Sequence, residues 1–294
     1  MAVACLLLVS AGIEDPARAA DEVSSSIRTE TPAEAAESAS AETQPEDVDC
    51  CLLLDGVPVS KDTCRTTVGD TTYVALGAMA KQFDPDANVT WNAETQTVTV
   101  TTETLSLTAT VGELYLVANG RYLYMEDGVQ LTDGRAMVSL DAVSKAFGAA
   151  NGWDAEAGAF TVTGGSGAIV SGNDYYDENT LFWLSRVIYA ESGNQPLKGK
   201  IGVGNVVLNR VASDRFPNTI QGVLSQKNQF TTYRGGKLAG RTPNAQSVVA
   251  AKLAMDGAVV REVAGALYFD GAPNSWAARH RPLLAVIGGH RFYG

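Results

Sequence analysis

Between Leu52 and Thr163 the chain aligns with itself. The stretch "TTYVALGAMAKQFDPDANVTWNAETQTVTV", from Thr71, realigns with "GRAMVSLDAVSKAFGAANGWDAEAGAFTV", from Gly134. Val74, Leu76 and Phe83 match Val138, Leu140 and Phe147 at an offset of 64, and Trp91 and Val100 match Trp153 and Val162 at 62. A repeat of this size narrows the fold before any motif is read, because each copy must be one supersecondary unit. Each copy reads as a short strand, an amphipathic helix and a β-hairpin, with turns at Asn92-Ala93-Glu94-Thr95 and Asp154-Ala155-Glu156-Ala157. An α+β domain is therefore expected over residues 50–163, with Trp91 and Trp153 as core anchors rather than sugar platforms.

What flanks the repeat differs sharply in charge. The 294-residue chain carries a formal net charge of -11, yet nine acidic residues lie between Asp21 and Asp49 against Arg28 alone. With almost no apolar residue larger than Ala, residues 21–49 read as a disordered, self-repelling linker. From Asp177 to Gly294 there are 14 Lys and Arg against 7 Asp and Glu, which points to an anionic polymer as the partner of this segment alone. Nucleic acid is not expected as a partner. Residues 1–20, "MAVACLLLVSAGIEDPARAA", hold an apolar run and an Ala-x-Ala pattern like a secretion signal, with no basic residue before the run and Glu14 and Asp15 after it. A truncated signal and a secreted or wall-associated protein are expected, without a transmembrane span. In an exported chain Cys64 would join Cys50 or Cys51, and with His280 and His290 as the two histidines neither a metal site nor a cofactor is expected. "GGSGAIVSGN", from Gly164, opens a flexible linker over residues 164–176.

The C-terminal segment, residues 177–294, raises a chemical question. In "SRVIYAESGNQPLKGK", Glu191 follows Leu184, Val187 and Ile188 by seven, four and three positions, so a carboxylate shares the core-facing side of a helix. Burial raises the pKa of such a group, which suits a general acid; the same place also suits a Glu that ends the helix and bonds a nearby backbone. "KGKIGVGNVVLNRVAS" reads as a second helix with Asn205 and Asn209 on one face, and "FPNTIQGVLSQKNQFTTY" as a short helix and polar loop. "RTPNAQSVVAAKLAMDG" reads as a helix capped by Thr242, with Gly257 after its end. Short extended pieces close the chain.

Two resemblances follow from these residues. The repeated unit resembles the copper amine oxidase N-terminal-like domain, an α+β module that commonly precedes catalytic domains of exported bacterial proteins; it suggests a spacer or wall-contacting stalk. The ordered succession "SRVIYAESGNQP", "GVGNVVLNRV", "FPNTIQGVLSQKNQF", "GALYF", "SWAARHRP" and "IGGHRFY" resembles the cell-wall hydrolase family of spore-cortex-lytic enzymes, the SleB type. That likeness implies a mostly α, lysozyme-like domain acting on peptidoglycan, with Glu191 as the catalytic acid. The loop from Asp270 to Asn274 departs from the Asn-Pro usual after the "LYF" segment.

Glycosidic cleavage needs a proton on the leaving oxygen while an oxocarbenium-like centre forms, and hydrolysis normally adds a second carboxylate. Asp177, Glu178, Asp214, Asp256, Glu262 and Asp270 are the candidates, none within a comparable motif. Without that partner Glu191 would act again as a base on the muramyl 6-hydroxyl, giving a 1,6-anhydro sugar, the lytic transglycosylase route that the resemblance also favours over hydrolysis. Asn209, Gln226, Gln229, Phe230, Tyr268, Trp276 and His290 are the candidate substrate contacts, each also able to serve as packing. A non-catalytic wall-binding protein is the rival of another class, and a zinc-dependent amidase fits poorly with two histidines. An accessory protein that sets timing is left open. Residues 177–294 are expected to fold and act alone.

Overall fold

The computed structural model describes residues 52–61, 63–165, 167–227 and 229–294. The signal-like segment, the acidic stretch, Cys50 and Cys51 lie outside the described residues, and the expected disulfide with them. Two domains follow one another, a strand-rich one and a helical one. In the first, strand Thr71–Ala75 leads into α1 (Leu76–Phe83) and the hairpin Asn88–Asn92 with Thr97–Thr101. Strand Arg135–Ser139 leads into α2 (Leu140–Ala146) and the hairpin Ala149–Asp154 with Ala159–Gly164. The two leading strands pair antiparallel with Val74 opposite Val138, and Phe83 stacks on Phe147 at 4.6 Å. Leu76, Met79, Leu140 and Val143 fill the shared core.

Both hairpin turns are closed by one side chain. Asn92 Oδ1 accepts the N–H of Glu94 and Thr95 at 2.9 and 3.1 Å, and Asp154 Oδ1 those of Glu156 and Ala157 at 2.9 and 3.0 Å. The tryptophans do not anchor the core. Trp91 and Trp153 are 45% and 59% exposed, because each stands one residue before its turn, where the hairpin has run past the apolar interior.

Four strands separate the two copies, the last of them, Gln130–Thr132, pairing with Arg135–Ser139. Ser106–Thr110, Tyr115–Ala118 and Arg121–Tyr124 extend the first hairpin into a five-stranded antiparallel sheet, and Arg121–Tyr124 is its edge. That edge is covered by the second domain, whose core takes Tyr115, Tyr122 and Tyr124 against it.

The second domain comprises α3 (Gly172–Tyr175), α4 (Glu178–Ser192), α5 (Leu197–Ala212), α6 (Ile220–Ser225), α7 (Ala245–Met255) and α8 (Trp276–His280). A sheet of Tyr268–Asp270, Leu283–Ile287 and His290–Tyr293 has the last strand in its middle. Helix α4 starts where Asp177 Oδ1 accepts the Thr180 N–H at 2.7 Å, and buries Leu184, Val187 and Ile188 against α5 and α7. A Cβ at Gly204 would come within 3.1 Å of Ile188, so the glycine lets α4 and α5 approach closely there. Helix α7 begins later than its sequence suggests: Asn244, not Thr242, is the cap, its Oδ1 accepting the Ser247 N–H at 2.9 Å.

The connecting segment makes ordered contacts. Ile169 is buried, its N–H bonds the Ala146 carbonyl at 3.0 Å, and the Gly172 N–H bonds the Asn119 carbonyl at 2.8 Å, so the connecting segment is pinned to the first domain. Between the domains Asp256, with its side chain 2% exposed, accepts from Arg121 Nε at 3.2 Å, from Arg121 Nη2, and from the Tyr176 hydroxyl at 2.7 Å. Lys145 Nζ reaches Asp256 at 3.1 Å. Tyr176 lies one residue before the expected boundary at 177, and its hydroxyl also accepts the Tyr122 N–H at 2.9 Å.

Candidate active site

Glu191 stands in the last turn of α4. The helix's apolar stripe continues to it, and the chain then breaks at Gly193, with a Cβ there only 2.7 Å from the Tyr189 carbonyl. Beyond the break the loop is fastened twice. Buried Lys200 donates to the Gln195 carbonyl, and Gln195 Oε1 accepts the Gly289 N–H at 2.7 Å. Gly288 has φ +58, and a Cβ there would fall 2.4 Å from Gln195 Oε1. A glycine is thus required for the "IGGH" turn to close on the loop that follows Glu191, and that closure delivers His290 to it.

A cavity of about 240 Å³ results, lined by Glu191, Arg210, Gln229, Phe230, Phe269, Asp270, Gly271 and His290. Glu191 Oε1 accepts a hydrogen bond from Thr232 Oγ1 at 3.2 Å. Burial pushes the Glu191 carboxyl above the ordinary range, and the Thr232 bond and the Arg241 charge pull it only part of the way back. His290 goes down on burial, with the Glu191 backbone and the Asp270 charge opposing, so it stays a neutral imidazole at neutral pH. Asp270 is tied on both oxygens: Oδ1 accepts the Ala272 N–H at 3.2 Å and the Tyr293 hydroxyl at 3.4 Å, and Oδ2 the Ser275 hydroxyl.

Of the residues expected from sequence, the cavity gathers Glu191, Gln229, Phe230 and His290. Gln226 is only a neighbour, its carbonyl accepting the Gln229 N–H at 3.3 Å. The other three are placed elsewhere. Asn209 donates to the Ala266 carbonyl at 3.0 Å and braces the approach to strand Tyr268–Asp270; Asn205 does similar work, holding the Ala258 carbonyl at 2.6 Å. Tyr268 packs against Phe216 and Trp276 at 6.2 and 5.8 Å. Trp276 is 52% exposed and stacks on His280 at 4.9 Å, short of any core.

Arg210 and Thr232 were not legible as site residues, and Asp270 was one carboxylate among six. A signal for Arg210 existed. It follows Val203, Val206 and Val207 by seven, four and three positions, all buried, which is the spacing that singled out Glu191. Among the described residues no three His, Cys, Asp or Glu come together to hold a metal, and no helix is long and apolar enough to cross a membrane.

Residues 194–293 match the Cell Wall Hydrolase family. The chain carries a cell wall hydrolase domain. Its family match begins three residues after Glu191, and residues 53–162 match the Copper amine oxidase N-terminal domain. The chain is 34% identical over 120 residues to a spore cortex-lytic enzyme of Bacillus cereus, covering 40% of this chain and 45% of that one. The corresponding enzyme of Oceanobacillus iheyensis is 31% identical over 120 residues, with 42% of its length covered. The chain thus spans less than half the length of these relatives. The solved catalytic domain of the germination-specific lytic transglycosylase SleB from Bacillus anthracis is 32% identical, covering 40% of this chain and 97% of that domain, with a TM-score of 0.37.

Proposed function

We propose that this protein cuts the glycan strand of peptidoglycan between N-acetylmuramic acid and N-acetylglucosamine as a lytic transglycosylase, outside the cell or on its wall. The observation that carries this reading is the carboxyl of Glu191, held protonated toward higher pH by burial at the wall of a polar cavity. The helical domain is read as lysozyme-like and the first domain as a duplication. Glu191 gives its proton to the glycosidic oxygen as the bond from the anomeric carbon breaks. Its carboxylate then takes the proton of the muramyl 6-hydroxyl, whose oxygen closes on that carbon. The acid is regenerated and no water is consumed.

Asp270 gives the hydrolytic alternative its one specific support, since it is a second carboxylate lining the same cavity. Three of roughly four acceptor positions on that carboxylate are taken, however, which suits a fixed anion better than a base that must hold a water. Mass spectrometry of muropeptides released from purified wall tests the reading. Anhydromuramyl ends are expected; reducing ends would assign hydrolysis, freed stem peptides an amidase, and intact wall a binding protein.

Two further results are expected. Activity should fall as pH rises through the elevated Glu191 pKa, because the protonated acid is what starts the reaction; a rate that climbs from pH 5 to 8 would contradict this. Lys227, Arg234, Lys237 and Arg241 are exposed on the segment that supplies Thr232, a basic lip beside the cavity. Wall binding should weaken with salt, since exposed charges are screened within about 10 Å at 0.1 M. Sedimentation with wall at low and high salt checks it, and equal binding would remove the lip from the account.

A further inference from the structure

Arg210 is 3% exposed, lines the Glu191 cavity and forms no ion pair among the described residues. Its Nε donates to the Leu267 carbonyl at 2.7 Å and its Nη1 to Gln229 Oε1 at 2.9 Å. A guanidinium has five N–H donors, so the remaining three have no partner among the described residues. Phe216, Phe230 and Tyr268 lie 5.1 to 5.5 Å from its central carbon, and their faces compensate a buried cation only weakly. Burial brings its pKa down to about 10, with Tyr268 opposing, so it is still charged at neutral pH.

The bond to Gln229 also orients that amide. With Oε1 committed to Arg210, the Gln229 –NH₂ is left as a second donor on the same wall. Arg210 and Gln229 therefore present donors, Asp270 presents an acceptor, and Phe230 and Phe269 supply apolar surface, all around one cavity. The cavity already holds one fixed carboxylate in Asp270 and acquires a second when Glu191 gives up its proton. The Arg210 and Asp270 charges offset each other, so the cavity has no excess positive charge to select an anion, and a neutral, polarised carbonyl oxygen matches its free donors. We infer that Arg210, with Gln229, binds the carbonyl oxygen of a sugar's 2-acetamido group and makes the cavity selective for N-acetylated glycan. The methyl of that group rests on the phenylalanine wall. The inference deepens the proposed glycan cleavage and rests on it for the identity of the ligand.

Calorimetry with two neutral probes tests it on the full chain: the β-1,4-linked pentamer of N-acetylglucosamine and that of glucose, which lacks the acetamido groups. The wild-type protein should prefer the N-acetylated pentamer by roughly 10- to 100-fold, the range of a charge-assisted hydrogen bond. Arg210→Gln should collapse that preference by weakening the N-acetylated pentamer alone. Equal loss for both probes, or an unchanged ratio, would overturn the inference. Should Arg210→Gln fail to fold by circular dichroism, Gln229→Leu decides, because it leaves the buried arginine in place: the ratio must fall, and an unchanged ratio overturns the proposal. A wild type that binds with the expected preference but releases no muropeptides would sink the cleavage reading and leave the acetamido site standing.

Discussion

Glu191→Gln is expected to abolish measurable wall lysis, with glycan cleavage down by roughly 10²–10⁴-fold and further if one group serves as both acid and base. Gln has the same size, and its amide can still meet the Thr232 hydroxyl, but it has no proton to deliver. The variant should also be at least as stable as the wild type at neutral pH. A carboxyl raised in the folded state favours folding below its unfolded pKa, and that advantage is lost as pH rises through the folded value; the amide never incurs this loss. Binding to wall should persist. Turbidity assays and thermal melts read both arms, and a folded Gln variant with wild-type lysis would reduce Glu191 to a helix-ending residue.

The second large effect concerns the contact between the domains. Arg121→Met should destabilise the protein by about 2–3 kcal/mol, the cost of removing charge-assisted hydrogen bonds from a buried carboxylate that still has one cation beside it. Asp256, with its side chain 2% exposed, would keep only Lys145 and Tyr176. Pairing Arg121→Met with Asp256→Asn should recover part of the loss, because the buried charge that lost its guanidinium is then gone. Urea unfolding of the two single variants and the double gives the coupling directly. A single-variant loss under about 1 kcal/mol would mean that the pair is solvated and the docking loose. The same contact bears on residues 177–294 as a separate unit. Cut at 177, the helical domain loses Arg121 and Tyr176 and bares the surface that Tyr115, Tyr122 and Tyr124 cover, so it is expected to be less stable than the whole.

How far the site was readable depends on how local its signals are. Glu191 stood out because a charge within a 3.6-residue apolar stripe is visible in a window of eight residues. The α4 and α5 helices and both hairpin turns were equally local. Asn209 lies outside the cavity lining, because helical spacing says which residues share a face, while what that face meets is set by the Ala266 loop, 57 residues away. Trp276 and Tyr268 lie outside it too, their surroundings being assembled by strand pairing with the end of the chain. Trp91 and Trp153 carried the right repeat position, yet the position matched a hairpin tip rather than an interior. The interdomain contact was wholly hidden, since Arg121 and Asp256 are 135 residues apart and neither belongs to a motif.

The pinned connector and the Arg121–Asp256 contact have a consequence for transport through a porous polymer. Two domains of this size on a loose tether would thread a mesh one after the other, each with a radius of gyration of roughly 13 Å. Joined across Asp256, they must pass as a single particle of roughly 18 Å. Passage through any cross-linked polymer would then be governed by the larger figure.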